Sequence, residues 1–81
     1  MATLISVSPK ASTWAVSSEI LEHDLVFDRG PEAEAAARAL AERYARAGRS
    51  AEVKIYLRGG ALAGRFLHEA YARGPARMAF A

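Results

Sequence analysis

Apolar residues recur at spacings of three and four along one stretch of the chain, residues 31–47. This spacing predicts a single amphipathic helix. Pro31 suits the first helical position, where no backbone N–H is needed, and Gly48 suits the residue that follows the last turn. The apolar stripe of the helix comprises Ala33, Ala37, Leu40, Ala41, Tyr44 and Ala47. Because most of these side chains are small, we expect the helix to lie close against a sheet.

Three strands are predicted before the helix, where apolar and polar residues alternate. Ile5 and Val7 alternate with serines, residues 9–12 form a turn, and Trp14 and Val16 alternate with small residues, which together predict a hairpin. The apolar run at residues 25–27 predicts a short third strand, ended by residues 28–31.

The segment after the helix predicts a second hairpin, with Gly59-Gly60 as a two-residue loop. The register then places Leu57 opposite Leu62, Ile55 opposite Gly64 and Val53 opposite Phe66 on the helix side, and Arg58 opposite Ala61, Tyr56 opposite Ala63, Lys54 opposite Arg65 and Glu52 opposite Leu67 on the other side. An alternative interpretation makes residues 61–73 a helix, since the apolar residues there also fit helical spacing. Gly64 and the Gly-Gly pair favour the strand.

These elements predict an α+β fold in the order β-β-β-α-β-β, with a small antiparallel sheet, one helix packed on one face and the other face open. Residues 1–70 form the expected domain and residues 71–81 a C-terminal tail. A single core of this size stabilises a fold by only about 3–5 kcal/mol, so association with a second copy or a partner is a natural supplement.

Several of these segments resemble a family of short bacterial domains of unknown function. The likeness covers residues 13–66 and rests on Trp14–Val16, Leu25–Phe27, the alanine-rich run 34–41, and Ile55–Gly60 with Gly64–Phe66. The resemblance implies one helix on a small antiparallel sheet and implies no activity, so no functional residue is transferred. This chain departs from the pattern in having Gly59 where Asp or Asn is usual, and in its longer tail.

Composition argues against an enzyme and against a cofactor or a metal. The chain contains no cysteine, which excludes thiolate chemistry and is compatible with the reducing cytoplasm, where we expect the protein. His23 and His68 are far apart in sequence, and neither lies in a pattern typical of zinc sites or catalytic nucleophiles. The first residues do not match a signal peptide, and no segment reaches the roughly 20 apolar residues of a membrane span.

The charges are distributed unevenly along the chain. Residues 1–35 contain two basic and six acidic residues, and residues 36–81 contain nine basic and three acidic residues. The inferred register collects Lys54, Tyr56, Arg58 and Arg65 on the open face of the sheet. Lys54 directly opposite Arg65 is unfavourable by itself, and an anionic partner would relieve the repulsion.

We therefore expect a non-enzymatic accessory domain that mediates protein association, above all self-association. The open face and the tail residues Tyr71, Met78 and Phe80 are the expected contacts. The alternative is a weak nucleic-acid-binding module that uses Lys54, Tyr56, Arg58 and Arg65, helped by Arg73 and Arg77. The two hypotheses differ in salt dependence, because phosphate contacts weaken steeply as salt rises.

Overall fold

The structure, a computed structural model, describes residues 2–71. One helix and five strands follow one another in the order β-β-β-α-β-β, which confirms the predicted α+β class and element order. Their bounds are β1 Thr3–Pro9, β2 Trp14–Ser18, β3 Leu25–Phe27, α1 Gly30–Arg46, β4 Ala51–Tyr56 and β5 Leu62–His68.

The sheet is mixed, with the strand order β3-β2-β1-β4-β5. β1 and β4 are parallel, whereas the other neighbours are antiparallel, so the expectation of an antiparallel sheet throughout is wrong at this pair. The cause is the path of the helix. β3 ends at the same edge of the sheet as β1, and α1 carries the chain back to the opposite edge. β4 therefore runs in the direction of β1 and pairs with it. We call the edge at which β1, β3 and β4 end the upper edge.

The second hairpin confirms the strand interpretation of the segment after Gly60 and most of the predicted register. Lys54 pairs with Arg65 and Val53 with Phe66, as the pattern indicates. The two-residue loop is wrong, because β4 ends at Tyr56 and residues 57–61 form the turn. The N–H of Gly60 donates to the carbonyl of Leu57 at 3.0 Å, and an irregularity beyond Ile55 places Tyr56 opposite Leu62 rather than Ala63.

The core lies between α1 and one face of the sheet. From the sheet, Ile5, Val7, Val16 and Val53 are fully buried. The helix contributes only alanines to the fully buried set, namely Ala33, Ala37, Ala41 and Ala45. Larger side chains pack around this centre and remain partly exposed: Trp14, Phe27, Leu40, Tyr44, Ile55 and Phe66. The alanine face thus lets the helix approach the sheet closely, as predicted, with Ala45 rather than Ala47 completing the buried stripe.

Both ends of α1 are fixed by glycines. At the upper edge Gly30 lies beneath the indole of Trp14, where an added Cβ would be 3.1 Å from Trp14 Cε2. Gly48 follows the last turn with a φ of 90°, a left-handed conformation that side chains disfavour. Gly30 therefore allows the close contact between the start of α1 and Trp14, and Gly48 allows the turn that ends the helix.

The chain after β5 returns to the C-terminal end of the helix. The N–H of Ala70 donates to Ser50 Oγ at 3.0 Å, and the N–H of Tyr71 donates to the carbonyl of Ala45 at 2.9 Å. Residues 72–81 of the predicted tail lie outside the described residues.

Candidate functional site

The face of the sheet opposite α1 has no element packed on it within residues 2–71. We call it the open face. Side chains alternate along each strand, so the pairing register decides which residues share it. The open face comprises Leu4, Ser6, Ser8, Ala15, Ser17, Val26, Glu52, Lys54, Tyr56, Leu62, Arg65 and Leu67.

Exposed apolar side chains surround a floor of small residues on the open face. Val26 is 61 % exposed on β3, and Leu62 and Leu67 are 48 % and 58 % exposed on β5. Leu4 adds a fourth apolar side chain on β1. The floor between them consists of Ser6, Ser8, Ala15 and Ser17, on β1 and β2. The exposed apolar side chains thus lie mainly on the two outer strands, with small residues and the charged Glu52, Lys54 and Arg65 between them.

Three of the four predicted binding-face residues lie on the open face, but Arg65 has a partner within the chain. Lys54 and Arg65 pair across β4 and β5 as expected. The guanidinium of Arg65 turns to Glu52, where its Nε donates to Oε2 at 2.8 Å, and its Nη2 donates to the same oxygen. Glu52 therefore supplies the negative charge that was expected from a partner.

Arg58, the fourth predicted residue, lies in the turn after β4 rather than on the face. Its Nη1 donates to the carbonyl of Lys10 at 2.7 Å, across the upper edge. The hydrogen bond links the turn between β1 and β2 to the turn between β4 and β5. Sequence reasoning placed Arg58 with Lys54 because it assumed a shorter loop.

A groove of about 550 Å³ lies between these two turns. Its lining comprises Ser8, Pro9, Lys10, Ala11, Tyr56, Leu57, Arg58, Gly59 and Gly60. The sequence analysis missed residues 8–11 as part of any site. No sequence pattern marks these residues, because they join the site only through the parallel pairing of β1 and β4, which places the carboxyl ends of the two strands side by side.

The tail residue Tyr71 contacts the body of the domain. Its hydroxyl donates a hydrogen bond to the carboxylate of Glu42 on α1. This hydrogen bond lowers the pKa of Glu42, burial opposes the shift, and Arg46 and His68 lower the pKa further. Tyr71 remains 46 % exposed. The other two association residues, Met78 and Phe80, lie outside the described residues.

Opposite charges lie at the two outer strands of the sheet, acidic along β3 and basic along β5. The segment joining β2 to β3 and the end of β3 carry the exposed residues Glu19, Glu22, Asp24 and Asp28. None of these four forms an ion pair within residues 2–71. β4, β5 and their turn carry Lys54, Arg58 and Arg65. The asymmetry of the sequence thus becomes an acidic β3 edge and a basic β5 edge.

Within the described residues, no three His, Cys, Asp or Glu side chains lie together as a metal site would require. No helix in the same part of the chain is long and apolar enough to cross a membrane. Comparison with models of protein families, with curated proteins and with solved structures found no match to the chain. The resemblance to short bacterial domains of unknown function therefore stays a prediction.

Proposed function

We propose that this chain is a non-enzymatic association domain that pairs with a second copy of itself through the open face. The observation that carries the proposal is the exposure of Val26, Leu62 and Leu67 on a sheet face that has no covering layer within residues 2–71. Burial of apolar surface of this kind is the usual source of association free energy.

Charge complementarity favours a second copy as the occupant. A two-fold axis parallel to the strands places the β3 edge of each copy over the β5 edge of the other. The acidic β3 edge of each copy then faces the edge that carries Lys54 in the second copy, and the contact repeats by symmetry. A two-fold axis perpendicular to the strands would bring like edges together, so the charges select the first arrangement.

The size of the face sets the expected affinity. The sheet has five strands spaced about 4.8 Å apart, and each strand is about five residues long at about 3.3 Å per residue. The face therefore covers about 400 Å² per copy. Stable complexes bury about 800 Å² per partner, so this face supports a weak dimer. A dissociation constant of about 100 µM corresponds to about 5.5 kcal/mol, which suits a reversible assembly.

Sedimentation velocity over a concentration series from about 10 to about 500 µM tests the proposal. We expect the average mass to rise from monomer towards dimer. Val26→Lys places a cation against the basic edge of the second copy and should abolish the rise, whereas Val26→Asp, which loses the same apolar contact but complements that edge, should weaken association less. Ala39→Lys adds the same charge on the exposed side of α1 and serves as the matched control.

Three outcomes would contradict the face-to-face dimer. A mass that stays monomeric over the whole series excludes it. Growth beyond the dimer indicates edge-to-edge pairing of β3 with β5, which does not close. Equal loss with Val26→Lys and Ala39→Lys indicates that net charge rather than the open face controls association.

The nucleic-acid alternative receives less support from the contacts. Arg65 is paired with Glu52, and Arg58 is held at the upper edge, which leaves Lys54 and Tyr56 on the face. Platforms for single strands usually combine several aromatic residues with a continuous basic surface. The same sedimentation series with an added oligonucleotide at two salt concentrations tests this alternative, since phosphate contacts would be lost at the higher salt.

A further inference from the structure

The groove at the upper edge lies where the chain leaves two neighbouring parallel strands in opposite directions. After β1 the chain turns towards β2, and after β4 it turns towards β5, on the other side of the pair. The two turns therefore separate and leave a crevice beyond the carboxyl ends of the strands. In open α/β sheets, ligands bind in crevices that form in this way beyond the carboxyl ends of the strands.

The groove carries positive charge in a fixed position. The hydrogen bond of 2.7 Å from Arg58 Nη1 to the carbonyl of Lys10 holds the guanidinium across the groove. This bond uses one of the donors of Arg58, and a guanidinium has five, so a pair of donors remains for a ligand. Lys10 forms no ion pair within residues 2–71. An anion in the groove would therefore meet two cationic side chains, one of them preorganised.

Flat apolar surface lies beside these charges. Tyr56 lines the groove from β4, and Pro9 and Leu57 line it from the two turns. The volume of about 550 Å³ is in the range of sites for small organic ligands, about 300–1,000 Å³. The hydroxyl of Ser8 adds a neutral polar group. An inorganic anion alone would leave most of this surface uncovered.

We propose that the groove binds a nucleotide, with its phosphate on Arg58 and Lys10 and its base against the ring of Tyr56. A guanidinium matches the geometry of phosphate through two parallel hydrogen bonds. Aromatic side chains stack on any base. A free mononucleotide and a nucleotide within a single strand offer the same groups, and the experiment distinguishes them. The groove is formed by residues of one chain, and of these residues only Ser8 and Tyr56 also lie on the open face.

Amide NMR titrations of the full chain test the proposal with AMP, adenosine, inorganic phosphate and a tetra-adenylate at one ionic strength. We expect AMP to give saturable shifts centred on residues 9–11 and 56–60. Adenosine and phosphate should each bind at least about tenfold more weakly than AMP, because each lacks one half of the recognised group. Equal binding of the mononucleotide and the tetra-adenylate identifies a free nucleotide, and a tenfold preference for the tetra-adenylate identifies a nucleotide within a strand.

Single substitutions test which side chains contact the phosphate and which contacts the base. Arg58→Gln and Lys10→Gln should each weaken AMP about tenfold. Tyr56→Leu should weaken AMP and leave phosphate unchanged. Arg43→Gln, an exposed arginine on α1, is the matched control and should bind AMP like the original chain. Amide spectra without ligand establish that each variant is folded.

Three results would overturn the proposal. They are the absence of saturable shifts with AMP, equal affinity for phosphate and AMP, and equal weakening by Arg43→Gln and Arg58→Gln. The variant Val26→Lys separates this site from the dimer. It should bind AMP normally even where association is lost, and loss of AMP binding there would show that one chain does not form the site.

Discussion

Arg65 lies directly opposite Lys54 in the sheet, yet its guanidinium bonds to Glu52, with 2.8 Å between Arg65 Nε and Glu52 Oε2. Glu52 occupies the same face of β4 two residues before Lys54. The chain thus compensates within itself the like-charge pair that the register creates. The pairing removes the main physical reason to expect a polyanion on this face.

We expect a double-mutant cycle of Glu52→Gln and Arg65→Met to give a coupling free energy of about 0.5–1 kcal/mol. Glu52 is 20 % exposed and Arg65 is 61 % exposed, so solvent screens part of the attraction. Urea unfolding of the four proteins measures the coupling. The same cycle at high salt should give a smaller value, and a coupling near zero at low salt would show that the ion pair contributes nothing.

The β4–β5 pairing illustrates how far the pattern of residues determines the fold. Alternation fixes which residues face the helix, because a slip of one residue would expose the whole apolar set, and Val53 opposite Phe66 was therefore predictable. The parallel pairing of β1 with β4 was not, since it depends on where the helix returns the chain.

The groove escaped prediction for the same reason. Lys10 and Arg58 are 48 residues apart in sequence and meet only because β1 and β4 end side by side. The length of the loop after β4 also determines where Arg58 lies. A two-residue loop would extend the strand through Arg58, whereas the observed turn directs Arg58 towards Lys10.

Gly30→Ala should destabilise the fold by about 1–3 kcal/mol. The new Cβ would lie 3.1 Å from Cε2 and 3.2 Å from Cζ2 of Trp14, an indole packed against the core. Denaturation followed by the fluorescence of Trp14, the single tryptophan, measures the change. Gly64→Ala is the control, because its Cβ would meet only Phe66 at 3.7 Å, an ordinary contact. Equal effects of the two substitutions would contradict the close approach at Gly30.

Ala37→Leu should also cost about 1–3 kcal/mol, because the alanine is fully buried between α1 and the sheet. The larger side chain can be accommodated only if the helix moves away from β1 and β4. Ala39→Leu makes the same change on the exposed side of α1, where an effect within about 0.5 kcal/mol is expected. Thermal or urea unfolding compares the two. Similar stabilities for both variants would mean that the helix does not lie close to the sheet.

Tyr71→Phe should raise the pKa of Glu42, because the hydrogen bond from the Tyr71 hydroxyl is the largest cause of its lowered value. A carboxyl group whose pKa is lowered by folding stabilises the fold above its pKa in the unfolded chain, and this contribution is lost as pH falls through the folded-state pKa. The stability difference between the original chain and Tyr71→Phe should therefore be largest at neutral pH and shrink in acid. Carbon-13 NMR of the Glu42 carboxyl gives the pKa directly, and urea unfolding at several pH values gives the stability. In a Glu42→Gln background the same tyrosine substitution should show no such pH dependence. An unchanged pKa in Tyr71→Phe would mean that residue 71 does not dock on α1 in solution.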